Sequence, residues 1–152
     1  MAKSLEVGQP APDFTLPALH LVDGKAVRDV RTLSQERGHP VVLAFYPGDD
    51  TSVCTKQMCS YSSGLEAFTD LGATVWGISP QDIDSHEKFA VKHGLRMPLL
   101  ADTDRTAVAA SAADTFAVTA LSRVTECTSC APAECSVLIR GACAAATAEE
   151  RA

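Results

Sequence analysis

Two cysteines five residues apart, Cys54 and Cys59, lie in the stretch Phe45-Tyr46-Pro47-Gly48-Asp49-Asp50-Thr51-Ser52-Val53-Cys54-Thr55-Lys56-Gln57-Met58-Cys59. These residue types, in this order, suit thiol redox chemistry. The apolar run Val41-Val42-Leu43-Ala44-Phe45 reads as a buried strand. A Pro-Gly-Asp-Asp turn stops it, and a helical pattern follows with Cys54 in its first turn. Thiolate, not thiol, is the reactive form of cysteine, and an ordinary thiol with a pKa near about 8.5 is only about 3% ionised at neutral pH. The unsatisfied N–H groups at a helix N-terminus favour the charged form. The chain thus puts a nucleophile where the backbone can activate it.

Thr51 stands one turn before Cys54, and residues three apart are neighbours on a helix. Its hydroxyl can donate to a thiolate and accept from a peroxide; an N-cap role fits the same position. Pro47 fixes φ and has no N–H, which suits the turn and would shield the thiolate from water. Over five helical residues the chain rises roughly 7.5 Å and turns about 140° off the starting face. Disulfide-linked Cα atoms usually lie within about 6.8 Å. If Cys54 and Cys59 pair, the first turns of their helix must unwind, which predicts a site that is folded when reduced and locally unfolded when oxidised. If they do not pair, Cys59 is a small buried hydrophobe.

The pattern Pro47, Thr51, Cys54, with the second cysteine at position 59, resembles the peroxiredoxin family and within it the atypical two-cysteine PrxQ branch, also called bacterioferritin comigratory protein. The resemblance runs from about Leu5 to about Arg105. It includes the opening segment Gly8-Gln9-Pro10-Ala11-Pro12-Asp13-Phe14-Thr15-Leu16 and the strand-like stretches Val75-Trp76-Gly77-Ile78-Ser79 and Leu99-Leu100-Ala101-Asp102. It implies a thioredoxin-like α/β fold with a central mixed sheet flanked by helices. It also implies a peroxidatic Cys54 that attacks hydrogen peroxide or an organic hydroperoxide, a resolving Cys59, a polarising Thr51, a shielding Pro47 and recycling by thioredoxin or a similar dithiol. No cofactor or metal is implied, and a monomer or weak dimer is expected.

The elements that must position this site follow from local signals. Asp13 to Leu16 reads as a short strand, and His20 to Val27 as a hairpin turning at Asp23-Gly24. Leu33 to Arg37 reads as a short helix ending at Gly38. The central strand is Val41 to Tyr46. The helix bearing both thiols runs from about Ser52 to Leu71, with Gly72 as its stop. Ala73 to Ile78 is the next strand. Asp82 to His93 is a helix capped by Ser79 or Asp82 and stopped by Gly94. Met97 to Leu100 is a short strand, and Asp102 to about Ala113 a third helix. Alternation of this kind predicts parallel strand pairs with helices on the sheet faces.

With 152 residues the chain is expected to form a single domain, residues 1–152. Its net charge of −6 argues against nucleic acid or an anionic membrane as the main partner. No apolar run approaches a membrane span. Met1 to Glu6 lacks the apolar segment of a signal peptide, so the cytoplasm is the expected location. Cysteines there are more often reactive than structural. His86 and His93, seven apart, are expected to face solvent, because metal-binding pairs favour a spacing of four. His20 and His39 have no catalytic partners. Gly48-Asp49-Asp50 reads as a turn rather than a calcium loop, and Trp76 as a core residue.

The C-terminal third departs from the pattern. Residues 106–152 hold 15 alanines against 9 in the preceding 105, one aromatic, Phe116, and four of the six cysteines. Peroxiredoxins place an arginine there, just before an apolar strand, to hold the thiolate and the peroxide. The strand candidate here, Ser136-Val137-Leu138-Ile139, follows Cys135, and the nearest arginines are Arg123 and Arg140. A guanidinium offers charge-assisted hydrogen bonds from a planar fork, so its loss would slow peroxide attack by roughly 10²–10³-fold. A change of reading frame after about Arg105 would leave such a shift, and translating the gene in its other frames tests that. Cys127-Thr128-Ser129-Cys130 has the spacing of half a zinc site, but Cys135 and Cys143 do not complete one. Three functions compete: a thiol peroxidase, a redox sensor or impaired peroxiredoxin that lacks the arginine, and a thioredoxin-like disulfide reductase. The last is disfavoured because the strand–helix junction lacks a two-residue thiol spacing.

Overall fold

A computed structural model of the chain describes residues 11–111 and 118–121. Strands β1 (Thr15–Val22), β2 (Lys25–Thr32), β3 (Val41–Phe45), β4 (Thr74–Ser79), β5 (Leu99–Ala101) and β6 (Val118–Leu121) form one sheet in the order β2-β1-β5-β4-β3-β6. Helices α1 (Ser52–Ser63) and α2 (Leu65–Asp70) connect β3 to β4, α3 (Ile83–His93) connects β4 to β5, and α4 (Thr106–Ser111) follows β5. The β3–β4 and β4–β5 pairs are parallel; the β1–β2, β1–β5 and β3–β6 pairs are antiparallel. The parallel pairs are those that the alternation of elements predicts, and the mixed α/β sheet is the one that the family resemblance implies.

Strand periodicity sorts the core into two layers. Val42, Ala44 and Tyr46 point to one face, where they pack with Val75, Leu99, Cys54 and Met58 of α1, and Phe89 and Ala90 of α3. Val41, Leu43 and Phe45 point to the other, with Trp76, Ile78, Leu100 and Ala107 of α4. All five residues of β3 are buried, as expected of a strand covered on both sides. Trp76 is fully buried in the second layer, which bears out its reading as core.

The hairpin is longer than the expected one. Its arms pair from Thr15↔Thr32 to Val22↔Lys25, absorbing the separate strand expected at Asp13 to Leu16. The turn is where it was expected, with Asp23 at φ 52° and Gly24 at φ 75°, the left-handed pair that a two-residue hairpin needs. Residues Leu33–Glu36 form one 3₁₀ turn. The long helix expected over Ser52 to Leu71 is broken at Gly64. Glycine is a weak helix former, and the Ser62 hydroxyl there accepts from Arg96 N–H at 3.0 Å instead of leaving the helix undisturbed. Asp82 caps α3 by accepting from Ser85 N–H at 2.8 Å, and Gly94 ends it at φ 62°. The third helix starts at Thr106 rather than Asp102, and β6 had no counterpart in the sequence reading.

Gly77 of β4 sets how closely α1 approaches the sheet. A Cβ there would lie 2.7 Å from Leu99 Cδ2 and 3.4 Å from both Met58 Sδ and Tyr46 Cε1. Gly77→Val must therefore displace the Leu99 side chain and crowd Met58, one turn beyond Cys54. It should cost about 1–3 kcal/mol, read as a lower urea midpoint at unchanged slope. An unchanged midpoint would mean that α1 does not depend on this contact.

Candidate active site

β3 delivers the chain to a turn, Pro47 to Thr51, from which α1 departs. Asp50 takes a left-handed φ of 57° that lets the chain reverse from strand to helix. Thr51 is the N-cap residue, with extended φ −76° and ψ 144°, and its carbonyl accepts from Thr55 N–H at 2.8 Å. Its side chain is exposed and makes no capping hydrogen bond, so Thr51 takes the cap position without using its hydroxyl there. The first turn of α1 also holds no acidic residue. Its leading amides and the positive end of its dipole are thus left uncompensated by any side-chain acceptor in the turn.

Cys54 is only 1% exposed, against Met58, Tyr46 and Ala44. Cys59 is half-buried at the edge of the same cluster, and both thiols are free. Both lie within the continuous helix Ser52–Ser63, so the structure holds them in the separated, reduced arrangement. Pro47 is half-buried in the turn. Pro47, Thr51, Cys54 and Cys59 are thus brought to one strand–helix junction. Arg123, Arg140, the strand candidate Ser136 to Ile139 and Cys127, Cys130, Cys135 and Cys143 lie outside the described residues.

Beneath the turn lies a polar cluster that the sequence reading missed. Asp49 accepts from Tyr46 Oη at 2.8 Å, from Ser85 Oγ at 2.6 Å and from His86 Nδ1 at 2.9 Å. His86 Nε2 donates to the Leu100 carbonyl at 3.1 Å. The expectation that His86 faces solvent is wrong: its side chain is 0% exposed and that of Asp49 is 4% exposed. A readable signal existed, since His86, Phe89, Ala90 and His93 share one helical stripe and the middle two are core residues. His93 is only partly exposed and, with Lys92, holds the Asp50 carboxylate. Two consecutive residues of the turn are therefore fastened to α3.

Burial pushes the Asp49 carboxyl up, but its hydrogen bonds and the charge of His86, with Ser85 and Tyr46, outweigh this and hold it below the ordinary carboxylate range. Burial, followed by the Asp49 charge, raises the Tyr46 phenol well above its usual value, so it remains a donor. A depressed carboxyl adds stability that is complete above its unfolded pKa of about 3.9 and is lost as pH falls through the lower folded value. The urea midpoint should therefore fall below about pH 4, and Asp49→Asn should flatten that limb. Equal acid limbs in the two proteins would remove Asp49 as its source.

The AhpC/TSA family model matches residues 7–119. The chain is 45% identical over 95 residues to peroxiredoxin Q, chloroplastic, of Oryza sativa subsp. japonica, covering 62% of this chain and 41% of that one. It is 39% identical over 101 residues to peroxiredoxin Bcp of Bacillus subtilis (strain 168), covering 66% and 60% respectively. The chain thus spans about two fifths of the plant relative's length and three fifths of the bacterial one's. Among solved structures, a cysteine-to-serine variant of Xanthomonas campestris peroxiredoxin Q superposes with a TM-score of 0.56 at 31% identity, covering 62% of this chain and 57% of that one. Peroxidoxin BcpB of Mycobacterium tuberculosis gives 0.64 at 28% identity, with 77% of each chain covered. With a buried thiol in the first turn after the central strand, a second thiol five residues on and a family match over most of its length, the chain belongs to the AhpC/TSA family, and it is similar to the Q and Bcp peroxiredoxins.

Proposed function

We propose that the chain is a thiol peroxidase in which Cys54 is the nucleophile, Cys59 the resolving thiol, and Thr51 and Pro47 shape the peroxide site. The Cys54 thiolate attacks one peroxide oxygen as the O–O bond breaks, giving a sulfenic acid and an alkoxide or hydroxide that takes up a proton. Sulfur is oxidised by two electrons and the peroxide is reduced by two. The Cys59 thiol then condenses with the sulfenic acid, forming a disulfide and releasing water. A thioredoxin-type dithiol reduces that disulfide by exchange and becomes oxidised in turn. A reducing compartment, the cytoplasm, fits the two free thiols. A single domain that works as a monomer or weak dimer completes the reading.

The observation that carries it is the burial of Cys54 in the first turn of a helix that has neither a side-chain cap nor an acidic residue there. A cysteine 1% exposed admits a small hydroperoxide on slight local movement but cannot meet a protein disulfide while α1 is folded, which weighs against the disulfide-reductase reading. The sensor reading keeps the same first step and differs in turnover: a sensor oxidises once, whereas a peroxidase cycles with a dithiol.

The test is the second-order rate of Cys54 oxidation by hydrogen peroxide, followed by rapid quench and mass spectrometry. The one tryptophan, Trp76, packs in the layer on the far side of the sheet from Cys54, so its emission reports the site only indirectly. A rate at least about 10²-fold above that of a free thiol at the same pH supports the peroxidase. A rate equal to that of a free thiol rejects it.

A further inference from the structure

We infer that Asp49 and His86 form a buried positioning pair that holds the turn carrying Cys54. The inference rests on the peroxidase reading for its kinetic consequence but not for its structural one. The pair links three elements. His86 comes from α3, and its second nitrogen is fixed on the Leu100 carbonyl of β5. Asp49 comes from the turn and also holds the Tyr46 hydroxyl at the end of β3. The Tyr46 ring lies in the same buried cluster as Cys54 and Met58. Displacement of Asp49 therefore reaches the sulfur by two routes, through the backbone from 49 to 54 and through the Tyr46 ring.

The composition of this cluster is unusual for a turn that needs only to reverse the chain. A surface turn of this kind satisfies its polar groups with water. Here one carboxylate is buried and takes three side-chain donors, Tyr46, Ser85 and His86. His86 Nδ1 meets the Asp49 carboxylate and Nε2 meets the Leu100 carbonyl. Ser85 Oγ also lies 3.2 Å from Gln81 Oε1, and the Gln81 N–H donates to Ser79 Oγ, which closes the network toward the end of β4. The titratable groups around the pair are Tyr46 and Cys54 on the turn side; Ser85 and Gln81 on the α3 side are neutral. Desolvating a carboxylate and an imidazole is costly unless their hydrogen-bonding groups find partners, and here the carboxylate has three donors and both ring nitrogens have a partner. What the network secures is the placement of one turn, and that turn carries the nucleophile. A misplacement of about 1 Å at a reacting group can cost about 10²-fold in rate.

Geometry and charge can be separated. In Asp49→Asn the amide can donate to His86 Nδ1 while its oxygen still accepts from Tyr46, and His86 keeps its proton on Nε2 for Leu100, so a neutral pair can reproduce the link. Asp49→Ala removes it and leaves His86 Nδ1 and the Tyr46 hydroxyl only their longer mutual approach of 3.5 Å. Tyr46→Phe keeps the ring and the Asp49–His86 bond and removes the hydroxyl alone.

The experiment is amide hydrogen exchange and peroxide oxidation on the reduced full chain and on Asp49→Ala, Asp49→Asn and Tyr46→Phe. Asp49→Ala should speed exchange over residues 48–58 at least about tenfold relative to β3 and β4, and slow Cys54 oxidation at least about tenfold. Asp49→Asn should recover both to within about threefold of wild type, a rescue that general destabilisation would not produce. Tyr46→Phe should fall between them, and it keeps the test open if Asp49→Ala does not fold. Unchanged exchange over 48–58 in Asp49→Ala, or in Tyr46→Phe if that variant alone folds, overturns the positioning role whatever the rates. Equal loss in Asp49→Ala and Asp49→Asn also overturns it. A wild-type oxidation rate no faster than a free thiol rejects the peroxidase reading instead, and the exchange comparison still decides the positioning role.

Discussion

Cys54→Ser should bring peroxide consumption down to the rate without protein, a loss of at least about a thousandfold, because no other described group can supply the sulfur nucleophile at this junction. Cys59 is the one other thiol among the described residues, and it sits half-buried five residues along the helix rather than in the first turn. The fold should survive. Serine is close in volume to cysteine, and burying its hydroxyl where the thiol was should lower stability by about 1–3 kcal/mol. The measurement is peroxide loss with excess dithiothreitol, paired with a urea titration. Activity surviving in a folded Cys54→Ser protein would move the nucleophile elsewhere and sink the assignment on which the mechanism rests.

The frame around that thiol was legible because its signals are local. Asp23-Gly24 announces a left-handed turn, Asp82 a helix start and Gly94 a helix stop, and each is decided by the residue itself and the few beside it. The same holds for β3, where five apolar residues end at Pro47. Features that depend on distant partners were not legible in this way. The break at Gly64 is reinforced by Arg96, 34 positions beyond Ser62 in the chain. β6 is a four-residue strand that pairs with β3 across 74 to 80 positions, Val41↔Leu121 to Ala44↔Val118. Nothing in Val118-Thr119-Ala120-Leu121 distinguishes it from its alanine-rich surroundings.

The candidate site divides along the same line. Thr51 and Cys54 follow from spacing on one turn. The Asp49–His86 pair joins residues 37 apart, and it was missed for a specific reason. The seven-residue spacing of His86 and His93 argues against a metal pair but says nothing of burial. The stripe it shares with Phe89 and Ala90 carried the information that it is buried. Asp49 was recognised as part of a turn, but sequence does not distinguish a carboxylate that faces water from one that accepts three hydrogen bonds beneath the chain. A turn residue flanked by a tyrosine and followed by a helix with a histidine on its buried stripe is the pattern that would have suggested it.

Cys59→Ser should separate the two halves of the cycle. Its sulfur is not among the groups that face peroxide at the first turn, so the first oxidation of Cys54 should stay within about threefold of wild type. The sulfenic acid should then persist, be trapped by dimedone, and pass to the sulfinic acid under excess peroxide. Steady turnover with thioredoxin should fall to a small fraction of wild type. In the wild-type chain the disulfide should form, and its formation requires work from the helix. Both cysteines lie inside Ser52–Ser63, which must open between them, while the turn before it stays fastened to α3 and Ser62 stays fastened to Arg96. Oxidation should therefore release amide protection over residues 53–60 and lower helical circular dichroism by about one to two turns, with protection in β3 and β4 unchanged. Cys59→Ser should show neither change. A Cys54–Cys59 disulfide that forms with α1 fully protected would refute the unwinding, and a Cys59→Ser protein that still cycles at the wild-type rate with thioredoxin would assign resolution to another thiol.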